Sequence, residues 1–144
     1  MVTVHKLTHA DDAVTERISA LLNSLRQASV PLGQARLADL LSKEGFHLFV
    51  ARTETGDIVG MLTLTSCSTL AGEKLWIEDV IVDETLRGQG AGRALLRKAV
   101  SYAADTLNAS SISLTSNPSR TAARNLYRSE GFEEYETGVF RLNI

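Results

Sequence analysis

Trp76-Ile77-Glu78-Asp79-Val80-Ile81-Val82-Asp83-Glu84-Thr85-Leu86-Arg87-Gly88-Gln89-Gly90-Ala91-Gly92-Arg93-Ala94-Leu95-Leu96 is the stretch that decides the fold. Its first part is an apolar run, interrupted only by Glu78 and Asp79, and reads as a buried strand. Its second part is a glycine-rich turn that leads straight into a helix with Leu96, Ala99, Val100, Ala103 and Leu107 on its apolar face. Glycines allow positive φ and let a ligand approach the backbone closely. The first amides of a helix have no internal acceptor, and the aligned peptide dipoles add roughly half a positive charge there. Strand, glycine turn and helix start therefore make an anion site, most naturally for a pyrophosphate, with Arg87 and Arg93 beside it.

Working outward, the spacing predicts a mixed α/β chain. On the N-terminal side, Val2 to Leu7 reads as a strand. Asp11 or Asp12 caps a helix with the stripe Ile18, Leu21, Leu22 and Leu25, ended by Pro31 and Gly33. A shorter helix carries Leu37, Leu40 and Leu41 and stops at Gly45. Phe46 to Ala51 and Ile58 to Thr65 form a hairpin about the turn Glu54-Thr55-Gly56-Asp57. On the C-terminal side, Ile112 to Thr115 is a strand, so the centre of the chain is a strand–helix–strand crossover. A helix then runs from about Ser119 through Tyr127 to Ser129 and stops at Gly131, and Phe132 to Leu142 holds two short last strands.

With 144 residues and no linker, repeat or low-complexity tract, residues 1–144 are expected to form a single domain. A chain of this length buries enough surface for one core without staples. Fifteen Lys and Arg against seventeen Asp and Glu leave a formal charge of -2, so no basic field points to nucleic acid. The single cysteine, Cys67, excludes an internal disulfide framework and fits a reducing compartment. His5, His9, His47 and Cys67 never reach metal-ligand spacing, so no metal is expected. No signal-like apolar segment opens the chain, and no run approaches the roughly eighteen apolar residues of a membrane span, which makes a cytoplasmic protein with no membrane partner the expectation.

Three phosphate-binding patterns fail on the glycine turn. The dinucleotide fingerprint falls on Arg93 or Leu95 where it needs its last glycine, the P-loop lacks its Gly-Lys-Ser/Thr, and a protein kinase needs a far longer chain. What remains is Arg-x-x-Gly-x-Gly, here Arg87, Gly90 and Gly92. After an apolar strand and before Leu95-Leu96, this segment resembles the acyl-CoA pyrophosphate loop of the GNAT superfamily of N-acetyltransferases. A second block agrees in order and spacing: Asn117-Pro118-Ser119-Arg120, Ala123, Leu126-Tyr127 and Gly131-Phe132 resemble the last helix of that superfamily. The two blocks cover Leu75 to Phe132; the N-terminal half matches in element order alone.

The resemblance implies a mostly antiparallel mixed sheet with helices on both faces and a V-shaped opening for acetyl-CoA. It implies that Arg87, Gly88, Gln89, Gly90, Ala91, Gly92 and Arg93 hold the pyrophosphate, and that the backbone of Val80, Ile81 and Val82 holds the pantetheine arm and polarises the thioester. One or two of Asn117, Arg120, Arg124 and Asn125 would touch the CoA arm or its 3′-phosphate. Tyr127 would protonate the departing thiolate. An alkylamine is about 0.1% neutral at pH 7, so its proton must be removed, and a carboxylate acting through water, or water itself, could take it. Glu78 is the first choice and Asp79 the second, and alternation along a strand would put at most one of them into a given cleft.

The implied activity is acetyl transfer from acetyl-CoA to a primary amine by direct attack in a ternary complex. A small-molecule acceptor is favoured. A protein N-terminus or lysine is the alternative, weakened because Leu114-Thr115-Ser116 stands where some relatives carry a Glu. A non-catalytic acyl-CoA-binding sensor is the reading from another class. Arg97 and Lys98 read as a solvated helical face, and the last strand is the place where a homodimer would form.

Overall fold

The computed structural model describes all residues, Met1–Ile144. Four strands, β1 (Val2–Lys6), β2 (Phe46–Thr53), β3 (Ile58–Thr69) and β4 (Gly72–Val82), pair antiparallel in the order β1-β2-β3-β4. Between β1 and β2 lie α1 (Asp12–Arg26) and α2 (Gln34–Ser42). After β4 come a 3-10 turn (Glu84–Leu86), α3 (Ala91–Asp105) and α4 (Thr121–Ser129). The β3–β4 hairpin is longer than the sequence predicts: its strands continue through Cys67–Lys74 to a tip at residues 70 and 71.

Alternation along β2 explains the layers. Phe49 and Ala51 join Leu62, Leu64, Leu75 and Ile77 against Leu95, Leu96, Ala99 and Ala103 of α3 and Tyr127 of α4. Leu48 and Val50 point the other way and pack with Met61 and Ile81 against Ile18 and Leu21 of α1 and Leu37 of α2. With both faces covered, β2 is buried without a break over His47–Ala51 and β3 over Ile58–Leu64. The helix ends follow local chemistry. Asp11 caps α1 by accepting from the Val14 amide at 2.8 Å, and the helix ends at Gln27 in the left-handed region, ahead of Pro31.

β4 departs from simple alternation. Thr63 pairs with Glu78 and Met61 with Ile81, so Leu62 alone faces both Asp79 and Val80. This is a β-bulge, with Asp79 at φ 52° in the left-handed region that Asp tolerates better than most residues. Leu75 and Ile77 face α3 before the bulge; Val80 and Val82 do so after it, and Ile81 turns to α1. The expectation that at most one of Glu78 and Asp79 reaches a given side is thereby corrected. Glu78 stands directly across from Thr63, and the Asp79 carboxylate accepts from Thr63 Oγ1 at 3.1 Å, so both acids lie on the α1-facing side.

Two further expectations change on the C-terminal side. Ile112–Thr115 is reduced to a single parallel bridge, in which the Ile77 amide donates to Ser113 and the Ser113 amide donates to Leu75, each at 2.9 Å. The crossover therefore exists with only this contact at its far end. Phe132 to Leu142 forms no strand. Glu134 is drawn back to Arg124 and Arg128 of α4, and beyond it the backbone makes one short-range bond, from Thr137 to Tyr135. Val100, expected on the buried face of α3, is 40% exposed because no such strand covers it. No helix is long and apolar enough to cross a membrane.

Candidate active site

The glycine turn delivers the geometry its sequence predicts. Gly88 (φ 78°) and Gly90 (φ 87°) occupy the left-handed region, and a Cβ on either would meet nothing within 4 Å, so the surface above them is open. Gly90 is the N-cap of α3, and the first helical bond is from the Ala94 amide to Gly90. The amides of Gly88, Gln89, Gly90, Ala91, Gly92 and Arg93 donate to no protein acceptor. Six consecutive free amides at the positive end of a fifteen-residue helix fit an anion with several oxygens.

Gly92 has a different reason. A Cβ there would stand 3.2 Å from Leu126 Cδ2 and 3.8 Å from Val82 Cγ2. This glycine lets the start of α3 press against both α4 and the end of β4. The loop, the strand carrying Val80–Val82 and the helix carrying Tyr127 are thus brought together at one point.

The loop is held from behind by a residue the sequence did not single out. Arg17 of α1 donates from Nε to the Ile58 carbonyl at 2.6 Å and from Nη2 to Asp83 at 2.6 Å. Asp83 also accepts from the Thr85 amide and hydroxyl, starting the 3-10 turn. The Arg17 hydrogen bond first, then the two from Thr85, hold the Asp83 carboxyl down at about 2. Arg17 is marked only by its partner 66 residues away, which local pattern cannot reveal.

The arginines divide. Arg87 donates from Nε to the Val82 carbonyl at 3.2 Å and stands by Glu84, closing the turn back on β4. Arg93 is ion-paired with Glu130, which also receives Arg97 at 3.0 Å. The Arg97 hydrogen bond, with Arg93 assisting, lowers the Glu130 carboxyl below the usual range. Arg97 is therefore a tie between α3 and the end of α4 as well as an exposed cation. Arg124 donates to the Ser116 carbonyl at 3.2 Å and pairs with Glu134 at 2.7 Å. Arg120 is the exposed N-cap of α4 without an ion pair, and Asn117 accepts from the Ser119 amide and hydroxyl to shape the turn before it.

Beyond the bridge at Ser113 the outer edge of β4, from Glu78 to Val82, carries no strand. This is the opening in the sheet. On its α1 side, Glu78 is exposed and makes no side-chain bond, while Asp79 is tied to Thr63 and to Arg26 at 3.4 Å. On the other side, Tyr127 is buried to 6% exposure among the α3 core and lines a groove of about 840 Å3 with Trp76, Leu114, Ser116 and Arg124. Its phenol makes no hydrogen bond in the chain; burial raises its pKa above the usual 10, against a smaller opposing pull from Arg120, so the proton stays on. No group of three or more His, Cys, Asp or Glu side chains is placed to hold a metal.

Comparison with known proteins gives the family and the fold. The model of the Acetyltransferase (GNAT) family matches residues 15–132. An aminoglycoside acetyltransferase from an uncultured soil metagenomic sample, solved with trehalose, superposes with a TM-score of 0.86 at 21% identity, covering 99% of this chain and 96% of that one. An acetyltransferase from Trypanosoma brucei gives 0.80 at 25% identity over the whole of both chains. AAC(6')-Iy, solved with the bisubstrate analogue CoA-S-monomethyl-acetylneamine, gives 0.79 at 17% identity over 100% of this chain and 99% of that one. Among proteins of curated function none matches the sequence. The chain belongs to the GNAT acetyltransferase family, as an acetyl-CoA-dependent N-acetyltransferase.

Proposed function

We propose that the protein transfers the acetyl group of acetyl-CoA to the primary amine of a small molecule, by direct attack in a ternary complex. The observation that carries this reading is the run of six free amides at residues 88–93, facing open surface at a helix N-terminus. That run fits a pyrophosphate and sets the rest of the ligand along the unpaired edge of β4.

In this reading the free edge at Val80, Ile81 and Val82 receives the pantetheine amides and polarises the thioester carbonyl. The bulge at Asp79 is what re-aims the backbone there. Glu78, exposed and unpaired, takes the proton from the incoming ammonium through water; Asp79, already bonded to Thr63 and Arg26, holds the bulge. The amine nitrogen forms a bond to the thioester carbon and sheds its second proton to water, the C–S bond breaks, and the departing sulfur takes a proton from the Tyr127 hydroxyl, which water then reprotonates. A phenol that is buried and keeps its proton past pH 10 is suited to donate it. Holding two reactants in this geometry is an effect worth up to about 7–11 kcal/mol in model systems.

A small cationic acceptor is favoured by the two carboxylates sharing the α1-facing side of β4. The likeness to structures named for aminoglycosides, which are polyamines, points the same way. Calorimetric titration with acetyl-CoA, CoA, NAD and ATP tests the site. Micromolar binding of the first two without competition from the nucleotides is expected, and absence of CoA binding by folded protein sinks the reading. CoA release with a panel of amines and peptides then separates small-molecule from protein acceptors.

A further inference from the structure

A Tyr127 that gives up its proton is left with a charge its surroundings do not favour. The core around its ring brings only apolar side chains, among them Phe49 from β2, Leu64 from β3, Ile77 from β4 and Leu96 and Ala99 from α3. A phenolate against such a wall costs free energy unless a positive charge meets it. Most charges near α4 are already engaged: Arg124 and Arg128 with Glu134, and Glu130 with Arg93 and Arg97. Glu133, on the rim of the same groove, is exposed. Arg120 is different, exposed and without an ion pair at the N-cap of α4.

The helix brings Arg120 and the phenol together. Arg120 stands seven residues before Tyr127, two turns back and so on the same face. A tyrosine on a helix leans towards the N-terminus, which carries the Tyr127 hydroxyl back towards Arg120. The start of α4 adds charge of the same sign. The amides of Ala122 and Ala123 donate to nothing, no side chain caps them, and the first turn holds no acid. Burial pushes the phenol up, and Arg120 is the one charge felt there, pulling it down by a smaller amount.

We propose that Arg120, backed by the free amides at the start of α4, holds the negative charge on the Tyr127 oxygen when its proton goes to the departing sulfur. Arg120 is then a positioning residue that acts through Tyr127, in place of the CoA phosphate contact that resemblance offers for it. The Tyr127 O–H bond breaks, an S–H bond forms, and the phenolate stands beside the guanidinium until water reprotonates it. This inference rests on Tyr127 as the proton donor.

Fluorotyrosine incorporation lets fluorine NMR follow the three phenols of the free protein, assigned with Tyr102→Phe, Tyr127→Phe and Tyr135→Phe. In Arg120→Gln the Tyr127 titration is expected to move to higher pH, and in Arg120→Lys to return, with Tyr102 and Tyr135 unmoved. Single-turnover acetyl transfer is then read with the amine of the panel that releases CoA fastest. It is expected to slow roughly three- to tenfold in Arg120→Gln, since one pH unit in the strength of an acid is worth about tenfold. The rate should recover in Arg120→Lys, and Arg120→Gln should cost nothing further when added to Tyr127→Phe. An unmoved Tyr127 titration, a raised acetyl-CoA KM at an unchanged single-turnover rate, or a full further loss on the Tyr127→Phe background overturns the proposal. An unaltered rate in Tyr127→Phe overturns the proton-donor reading along with it, whereas a slowed Tyr127→Phe beside a normal Arg120→Gln overturns this proposal alone. If no amine of the panel is acetylated, the NMR titration decides.

Discussion

The glycine turn at residues 88–93 and the C-terminal segment at residues 138–144 both carry backbone amides that bond nothing in the chain. They differ in everything around those amides. The turn is anchored through Asp83 to Arg17 and through Arg87 to Val82, its conformation is set by Gly88 and Gly90, and nothing large and apolar lies over it. The tail has no anchor beyond Glu134 and carries bare Phe140, Leu142 and Ile144. Unpaired amides on an anchored polar turn are suited to an anion, as the proposed function has it; unpaired amides on an exposed apolar segment have no such anchoring. Backbone satisfaction alone does not separate the two cases, and anchoring together with side-chain character does.

Breaking the ligand side should have the largest effect. Tyr127→Phe is expected to lower kcat by about 10²- to 10⁴-fold, the range for a lost general acid, with acetyl-CoA affinity nearly unchanged. Steady-state rates at saturating substrates with parallel calorimetry check it, and unchanged kcat would leave Tyr127 as a core residue only. Gly92→Ala is next. The added methyl meets Leu126 at 3.2 Å, and overpacking of this kind costs about 1–3 kcal/mol in denaturant unfolding.

Gly90→Asp set against Gly90→Asn sharpens the comparison further. Both place a side chain at φ 87°, so their difference is charge alone. Calorimetry should find CoA bound roughly tenfold more weakly by the Asp variant, as about 1–2 kcal/mol of helix-end electrostatics implies. Equal affinities would show that the free amides are not the phosphate site.

The smallest effect belongs to the anchor. Asp83→Asn should cost below about 1 kcal/mol at neutral pH, as befits a half-exposed ion pair. Because the folded carboxyl sits at about 2, below its value in the unfolded chain, the contribution is complete above about pH 4 and is lost as pH falls towards 2. The difference in Tm between variant and parent should close over that window. A constant difference would assign the effect to packing.

Sequence pattern located α1, α2, the central hairpin, β4, the glycine turn, α3 and α4, because each is written in local period and capping. It missed the shared side of Glu78 and Asp79, since a bulge is one extra residue in a ladder and periodicity assumes none. Arg17 was missed because its partner lies 66 residues away. The two short last strands expected in Phe132 to Leu142 do not form: Glu134 is drawn back to Arg124 and Arg128, and the backbone makes no hydrogen bond past Thr137. The roles of the site residues divide similarly. The glycine turn is a local device; the preference for Glu78 over Asp79, taken from the resemblance, gains support from Asp79 being already engaged with Thr63 and Arg26.

The bulge at Asp79 has a consequence for how such a protein can vary. By absorbing one residue of phase, it uncouples the two halves of β4. Val80 and Val82 keep step with α3, while Glu78, across from Thr63, faces the α1 side. Under the proposed function, a change at Glu78 can therefore reshape the α1-facing surface while Val80 and Val82 keep their register with α3, and the strand behaves as two pieces joined at a slip.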